Sequence, residues 1–313
     1  GGVLREGLAF DRCDVAVVTN VGSGDHLGLN YITTVQDLAV LKRVIVQNVA
    51  ATGVAVLNAT DPTVSAMASK CRGSVTFFAV DKFHPVMATH RAQGQAVVYV
   101  ENGQLVASKG DFQQTIALAS IPITMGGMIP FQVENVMASV AAAWALGLDW
   151  DTIRGGLSSF SNDTHNAQGR FNFFKFRGAT VIADYGHNPD AMIALVQAVQ
   201  AMPATRRAVV ISGAGDRRDQ DIRQQTEILG DAFDEVILYE DQCQRGRRDG
   251  EVIALLRQGL AHARRTTQTS EIKGEFLAID TAMDKLAPGE LCLILVDQVE
   301  EALAHIAARV QKG

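Results

Sequence analysis

The stretch TVIADYGHNPDAMIALVQAVQAM, residues 180–202, changes character twice within 23 residues. Thr180, Val181, Ile182 and Ala183 form a short, β-branched, apolar run, the pattern of a strand covered on both faces. A polar string follows, Asp184-Tyr185-Gly186-His187-Asn188-Pro189. Beyond it Met192, Leu195, Val196 and Val199 recur at helical spacing, with a proline where a first turn accepts one. Strand, polar turn and helix make half of a βαβ unit. A chain built from such halves folds as a mostly parallel sheet with helices on both faces.

The same rhythm extends in both directions. Downstream, strands are expected over 208–212, 235–239 and 291–296, and helices over 219–229, 249–263 and 299–310. Upstream, strands are expected over 15–20, 53–58 and 75–79. A helix over 34–49 carries Val35, Leu38, Leu41, Ile45 and Val49 on one stripe, and Asp61-Pro62 opens another. From 88 to 123 the runs shorten and alternate. Asn102-Gly103 between 96–100 and 105–107 signals a hairpin, read as a small antiparallel addition to the sheet. An alanine-rich helix over 135–146 ends at Gly147, and a second covers 150–157. The polar segment 158–169 (SSFSNDTHNAQG) ends at the boundary between two domains, 1–169 and 170–313.

Composition narrows the function. The 313 residues suffice for two domains with separate cores, and 47% hydrophobic with 20% charged residues is a globular balance. A net charge of −6 argues against bulk nucleic-acid binding. Cys13, Cys71, Cys243 and Cys292 include no CxxC pair, so neither a zinc knuckle nor a disulfide framework is indicated. Reduced thiols, no apolar run of ~18 residues and no signal peptide together imply a cytoplasmic protein without a membrane partner. The chain begins Gly1-Gly2-Val3 without a methionine and is read as a fragment.

Ligands of open parallel sheets sit beyond the carboxyl ends of the strands. Four polar clusters fall there: Thr19-Asn20 with Asp25-His26; residues 184–189; Gly213-Ala214-Gly215-Asp216-Arg217-Arg218-Asp219; and residues 239–247, YEDQCQRGR.

In order along the chain, Thr19-Asn20-Val21, Asp25-His26-Leu27, Lys42, Asn58-Ala59-Thr60-Asp61-Pro62, Asn135, Gly169-Arg170-Phe171 and Asp184 to Pro189 resemble the Mur ligases and folylpolyglutamate synthetases. The resemblance implies an incomplete Mur-ligase-like central domain followed by a Rossmann-like C-terminal α/β domain. It also implies ATP and Mg²⁺ as cofactors, and amide-bond formation through an acyl phosphate. Residues 1–20, 213–222, 230–247 and 292–303 are most similar to a polymer-forming branch of the family. That branch adds arginine to the β-carboxylate of aspartate on an aspartate-ended primer, and its full-length parent is expected to be a homo-oligomer.

By this resemblance His26 is a magnesium ligand, although Mg²⁺ prefers oxygen and its other ligands should be oxygens. Lys42 matches a lysine that becomes carbamylated and could then hold a second magnesium. His26, Lys42 and Arg170 are the implied catalytic residues, and Asn135, Arg170, Asp184 and His187 the implied nucleotide contacts. Asp216, Arg217, Arg218, Glu240 and Asp241 face the incoming amino acid, with Asp249 and Glu251 as further acids. A cationic substrate side chain calls for desolvated carboxylates, and bidentate pairing makes such a site selective. The bland alternatives are a hydrogen-bonded loop histidine, a solvated lysine, a helix N-cap at Asn135, loop packing of His187 against Pro189, and a solvated charged face.

The sequence departs from the family pattern in three ways. It contains no GxxxxGK[ST] phosphate loop, so the isolated chain is expected to use ATP poorly. Thr60 stands where an acid is expected before Asp61, and Gln168 where a proline is expected before Gly169-Arg170. Two other readings stay open. One is a related ligase: a peptidoglycan-precursor enzyme, a folylpolyglutamate synthetase, or one joining β-aspartyl-arginine dipeptides. The other is a non-catalytic binding or assembly module.

Overall fold

A computed structural model describes residues 6–23, 27, 31–240 and 245–312. It divides into two compact units, Gly1–Phe160 and Ser161–Gly313. That division lies ahead of the boundary drawn at 169/170. Residues 162–167 belong to the second unit, because the Asn172 side chain donates to the carbonyls of Asn162, Asp163 and Ala167.

The first unit is a six-stranded sheet in chain order. Its strands are β1 (Cys13–Val18), β2 (Val49–Asn58), β3 (Ser74–Phe78), β4 (Val97–Glu101), β5 (Gln104–Lys109) and β6 (Phe112–Ala117). The first four are parallel, and β5 and β6 are the antiparallel addition. Asn102 and Gly103 both take positive φ, the two-residue turn that Asn-Gly favours.

On one face pack α1 (Val35–Gln47), α2 (Pro62–Ser65) and α3 (Pro85–Ala92), where Leu38, Val46, Val64 and Met87 meet Ala16, Val18, Leu57 and Phe77. The other face is covered by α4 (Pro130–Ala145) and α5 (Trp150–Ser159), where Val133, Met137, Val140 and Ile153 meet Val56, Phe78 and Val98. Thr34 and Asp37 form a capping box on α1, and the Asp61 carboxylate caps α2 ahead of Pro62.

The second unit orders its strands β11-β10-β9-β12-β8-β7. They are β7 (Asn172–Phe176), β8 (Ala179–Asp184), β9 (Arg207–Ile211), β10 (Glu235–Glu240), β11 (Gln268–Lys273) and β12 (Leu291–Leu295). All pairings are parallel except β7 against β8. The helices are α6 (Pro189–Ala201), α7 (Asp219–Gly230), α8 (Glu251–Gly259), α9 (Glu275–Lys285) and α10 (Val299–Lys312). Ala278, Ile279, Met283, Leu303 and Ile306 of α9 and α10 pack on Val181, Val210, Ile237 and Ile294. α7 and α8 approach so closely that a Cβ on Gly259 would lie 2.2 Å from both the Arg223 carbonyl oxygen and Thr226 Oγ1.

Several elements differ from the sequence reading. Residues 88–92 belong to the helix Pro85–Ala92 rather than to a run of short alternating strands. The helix expected from 135 begins at Pro130, which places Asn135 in its interior and removes the N-cap role. Strands β7 and β11 and helix α9 have no counterpart in that reading.

Candidate functional site

In the first unit a single side chain ties together the loops leaving β1 and β2. Asp61 Oδ2 accepts from the backbone N–H of Val21 (2.7 Å) and Gly22 (3.1 Å), and Oδ1 accepts from Thr63 (2.8 Å) and Val64 (3.1 Å). Burial pushes its pKa up, but these four N–H groups outweigh that and hold the carboxyl below its ordinary range. Beside it Asn58 Oδ1 accepts from Thr60 N and Thr60 Oγ1. The loop that leads toward Asp25 and His26 is thereby anchored at the carboxyl edge of the sheet. Asp25 and His26 themselves lie outside the described residues.

Lys42 stands on the buried stripe of α1. Leu38 and Val46, four residues to either side, are 4% and 0% exposed, so Lys42 is half-buried rather than on a solvated face. It makes no ion pair with the described residues.

Asn135 is exposed on α4 and donates from Nδ2 to Gln132 Oε1 at 3.3 Å. Trp144, near the end of α4, borders Val54 and Ser74 at the amino end of the parallel strands. Nine residues back along a helix is about 13 Å, and Val54 to Asn58 along β2 is also about 13 Å. Asn135 is therefore level with the carboxyl ends of the strands. Lys42 and Asn135 belong to layers on opposite faces of the sheet. Among the described residues no cluster of three His, Cys, Asp or Glu side chains could hold a metal.

In the second unit the polar loops gather at the carboxyl edge. Asp184 ends β8 and is 9% exposed. It accepts from Phe171 N at 2.8 Å. Burial raises its pKa to about 6, against the pull of the Phe171 N–H, the Arg170 charge and the Gly186 N–H. Gly169 and Phe171 both take positive φ, and the Gly169 carbonyl accepts from Tyr185 N at 2.8 Å. Arg170 lies 5.8 Å from the Tyr185 ring centroid. His187 packs on the same ring at 4.9 Å, with Nδ1 2.9 Å from the Tyr185 carbonyl oxygen. Arg170, Asp184 and His187 are thus brought to one loop pair around Tyr185.

The loop after β9 meets residues 245–247. Arg245 reaches Asp297 at 2.9 Å and Asp216 at 3.5 Å, and it hydrogen-bonds the Tyr185 side chain. Arg217, 7% exposed, also reaches Asp216 at 3.5 Å. Burial works against the charge of Arg245, but Tyr185, Asp297 and Asp216 outweigh it and raise its pKa. Arg247 laces the loop: it donates to the carbonyls of Gly215 and Arg217 and to the carboxylates of Asp219 and Glu251, each at 2.7–2.8 Å.

Two residues expected to face substrate serve the scaffold. Arg218 makes a bidentate pair with Asp221 in the first turn of α7. Glu240, 8% exposed, accepts from Gly250 N at 2.6 Å ahead of α8. Asp249 is exposed and 3.8 Å from Lys273. Asp241 lies outside the described residues. Tyr185, Arg245, Arg247 and Asp297 have no role in the sequence reading. Each sits in a polar string at a strand end, which is the signal that could have marked it.

The free thiols Cys13 and Cys71 are half-buried, and Cys292 is fully buried with a pKa pushed up to about 12 by burial. Cys243 lies outside the described residues. No helix among the described residues is long and apolar enough to cross a membrane.

Comparison with known proteins gives a consistent picture. The Mur ligase middle domain matches residues 5–143, and the Mur ligase glutamate ligase domain matches residues 169–296. Cyanophycin synthetase from Geminocystis herdmanii is 39% identical over 98% of this chain and 35% of its own length. That from a Synechocystis species is 39% identical over 100% of this chain and 36% of its own. The chain therefore spans about a third of these relatives. The solved structure of E. coli FolC in complex with DHPP and ADP superposes with a TM-score of 0.63 at 19% identity, covering 96% of this chain and 62% of FolC. At that identity the likeness concerns the fold.

Proposed function

Since this chain belongs to the Mur ligase family, we propose that it is the ligase portion of a cyanophycin synthetase. On this reading the parent enzyme uses ATP to join arginine to the β-carboxylate of aspartate in multi-L-arginyl-poly-L-aspartate. The observation that carries the arginine assignment is Arg245: its guanidinium is held by Asp216, Asp297 and Tyr185 at the carboxyl edge of the second sheet. A pocket wall that accepts one guanidinium has the charge and the acceptors for another. The 39% identity to cyanophycin synthetases over nearly the whole chain supports the same substrate.

ATP, when bound, would supply the phosphoryl group that turns the acceptor carboxylate into an acyl phosphate. Asn135, exposed at the level of the strand ends, has an amide suited to an adenine edge. Arg170 is exposed, and its planar, permanently charged fork suits phosphate. His187, beside Tyr185, completes the nucleotide contacts. Lys42, on the buried stripe of α1, would hold Mg²⁺ if carbamylated, together with His26. In the second unit Asp216 and Asp297 would orient the incoming guanidinium, with Arg217 and Arg247 keeping that loop in place. Cytoplasmic location and a homo-oligomeric parent belong to the same proposal.

The test is phosphate release by the full-length parent with ATP, magnesium and an aspartate-ended primer. We expect release to depend on arginine, with lysine supporting less than about a tenth of the rate, since lysine lacks the planar fork that can pair with Asp216 and Asp297, which stay about a third exposed. Release without arginine, or better use of β-aspartyl-arginine, would replace this reading with the dipeptide-joining one. Calorimetric titration of the isolated chain with ATP and magnesium checks the expectation that it binds nucleotide weakly.

A further inference from the structure

We infer that the first unit carries a second ligand site, at the amino edge of its sheet, that takes a small planar carboxylate. Val54, Ser74, Thr76, Ala96, Lys109 and Trp144 border a cavity of ≈190 Å³. Ser74 opens β3 and Ala96 immediately precedes β4, so the cavity lies at the opposite end of the strands from the loops anchored by Asp61. The proposed ligase chemistry uses nothing at this edge.

Three features define the ligand. First, Thr76 is 4% exposed, and its hydroxyl has no hydrogen-bond partner among the described residues. Bordering the cavity, it is free to donate to a group bound there. Ser74 Oγ beside it donates to the Gly53 carbonyl at 3.4 Å.

Second, Lys109 forms no ion pair among the described residues, and no acidic side chain among them borders the cavity. One end of the cavity is thus cationic and rich in donors.

Third, Trp144 supplies an aromatic wall that its neighbours hold in place. Phe112 stacks on it at 5.6 Å with 26° between the planes, and Trp150 packs at 5.8 Å. A planar ring finds an offset-stacking partner there, with Val54 and Ala96 completing the apolar lining.

Size then decides between candidates. A volume of ≈190 Å³ is below the ~300 Å³ at which drug-sized sites begin, which rules out a nucleotide and fits one ring bearing one acid group. The ring would lie against Trp144 with its carboxylate toward Lys109 and the Thr76 hydroxyl.

The sequence holds two tryptophans, Trp144 and Trp150, so intrinsic fluorescence reports on this site. Titration of the whole chain with sodium benzoate should give a saturable change in emission with a Kd on the order of 1 mM, typical of so small a ligand. Benzamide, its neutral isostere, should bind at least about 10-fold more weakly, because a charge-assisted contact is lost. Lys109→Met, at an exposed position that leaves the core untouched, should weaken benzoate about 10-fold and leave benzamide unchanged. Thr76→Val should weaken both ligands a few-fold, with folding checked by circular dichroism. No saturable change, equal affinity for benzoate and benzamide, or benzoate binding that survives Lys109→Met would each overturn the assignment.

Discussion

Asp184 keeps a proton at pH values where an ordinary aspartate has lost it. Burial is the main cause, and it outweighs the Phe171 and Gly186 N–H groups and the Arg170 charge, so the pKa rises to about 6. In the unfolded chain the group titrates near 4. Between about pH 4 and 6 the native state therefore binds a proton that the unfolded state has released. Stability from this group falls as pH rises through that window and stays lower by about 2–3 kcal/mol above it. Asp184→Asn cannot ionise and keeps an oxygen for Phe171 N. Comparing urea unfolding at pH 4.5 and 7.5, which crosses the window from pH 4.5 upward, the native protein should lose about 2 kcal/mol relative to the variant. Equal pH dependence in the two would show that Asp184 ionises normally.

At the same scale, Arg245 and Asp297 give opposite predictions for the proposed reaction. Asp297→Asn removes a carboxylate from the guanidinium subsite and should raise the KM for arginine by about 10- to 100-fold. Arg245→Ala removes the resident guanidinium that an incoming one must displace, and should lower that KM several-fold. Steady-state kinetics of the full-length parent checks both. A rise in KM with both variants would mean that Arg245 itself contacts substrate.

Gly259 shows how one element depends on another. It closes α8 where α7 passes, and an added Cβ would lie 2.2 Å from the Arg223 carbonyl oxygen and from Thr226 Oγ1. Alanine is the better helix former by about 1 kcal/mol, but forcing the two helices apart costs about 3 kcal/mol. The clash wins, so Gly259→Ala should lower stability by about 2 kcal/mol in urea unfolding, and a stabilised variant would disprove the close approach.

The elements that were legible in the sequence share a property: strong apolar periodicity enclosed by caps. β8 and α6 read clearly because Thr180 to Ala183 is unbroken and Asn188-Pro189 starts the helix. β11, QTSEIK, is a largely exposed edge strand whose core side is limited to partly buried residues, so nothing in its composition announces a strand. α3, PVMATHRA, is short, has no side-chain cap and buries Met87 fully but little else. The site followed the same logic. Asp184, Asp216 and Arg217 stood out because each follows an apolar run. The partnership of Arg245 with Asp297 spans 52 residues, and no local pattern encodes a contact that only the strand order β10-β9-β12 creates. Glu240 and Arg218 look like substrate ligands in sequence because a side chain spent on Gly250 N or on Asp221 and one spent on a ligand are the same letter.

At the scale of the molecule, each unit is self-sufficient. The first closes two apolar layers on its own sheet, and the second packs α9 and α10 on its own. Each sheet's hydrogen-bonded order is complete within its unit, and the division at Phe160/Ser161 leaves the Asn172 contacts to 162–167 intact on the second side. A domain with its own core and sheet folds without its neighbour. Residues 161–313 made as a separate polypeptide should unfold in one cooperative step, as domains of this size do. Phe171, Arg170 and Gly186, the groups that set the Asp184 pKa along with burial, all travel with it. Its carboxyl should therefore still titrate at about 6 when followed by NMR. A titration near 4 in an otherwise cooperative fold would mean that the burial of Asp184 depends on residues before 161, and a non-cooperative melt would mean that the second core does not close by itself.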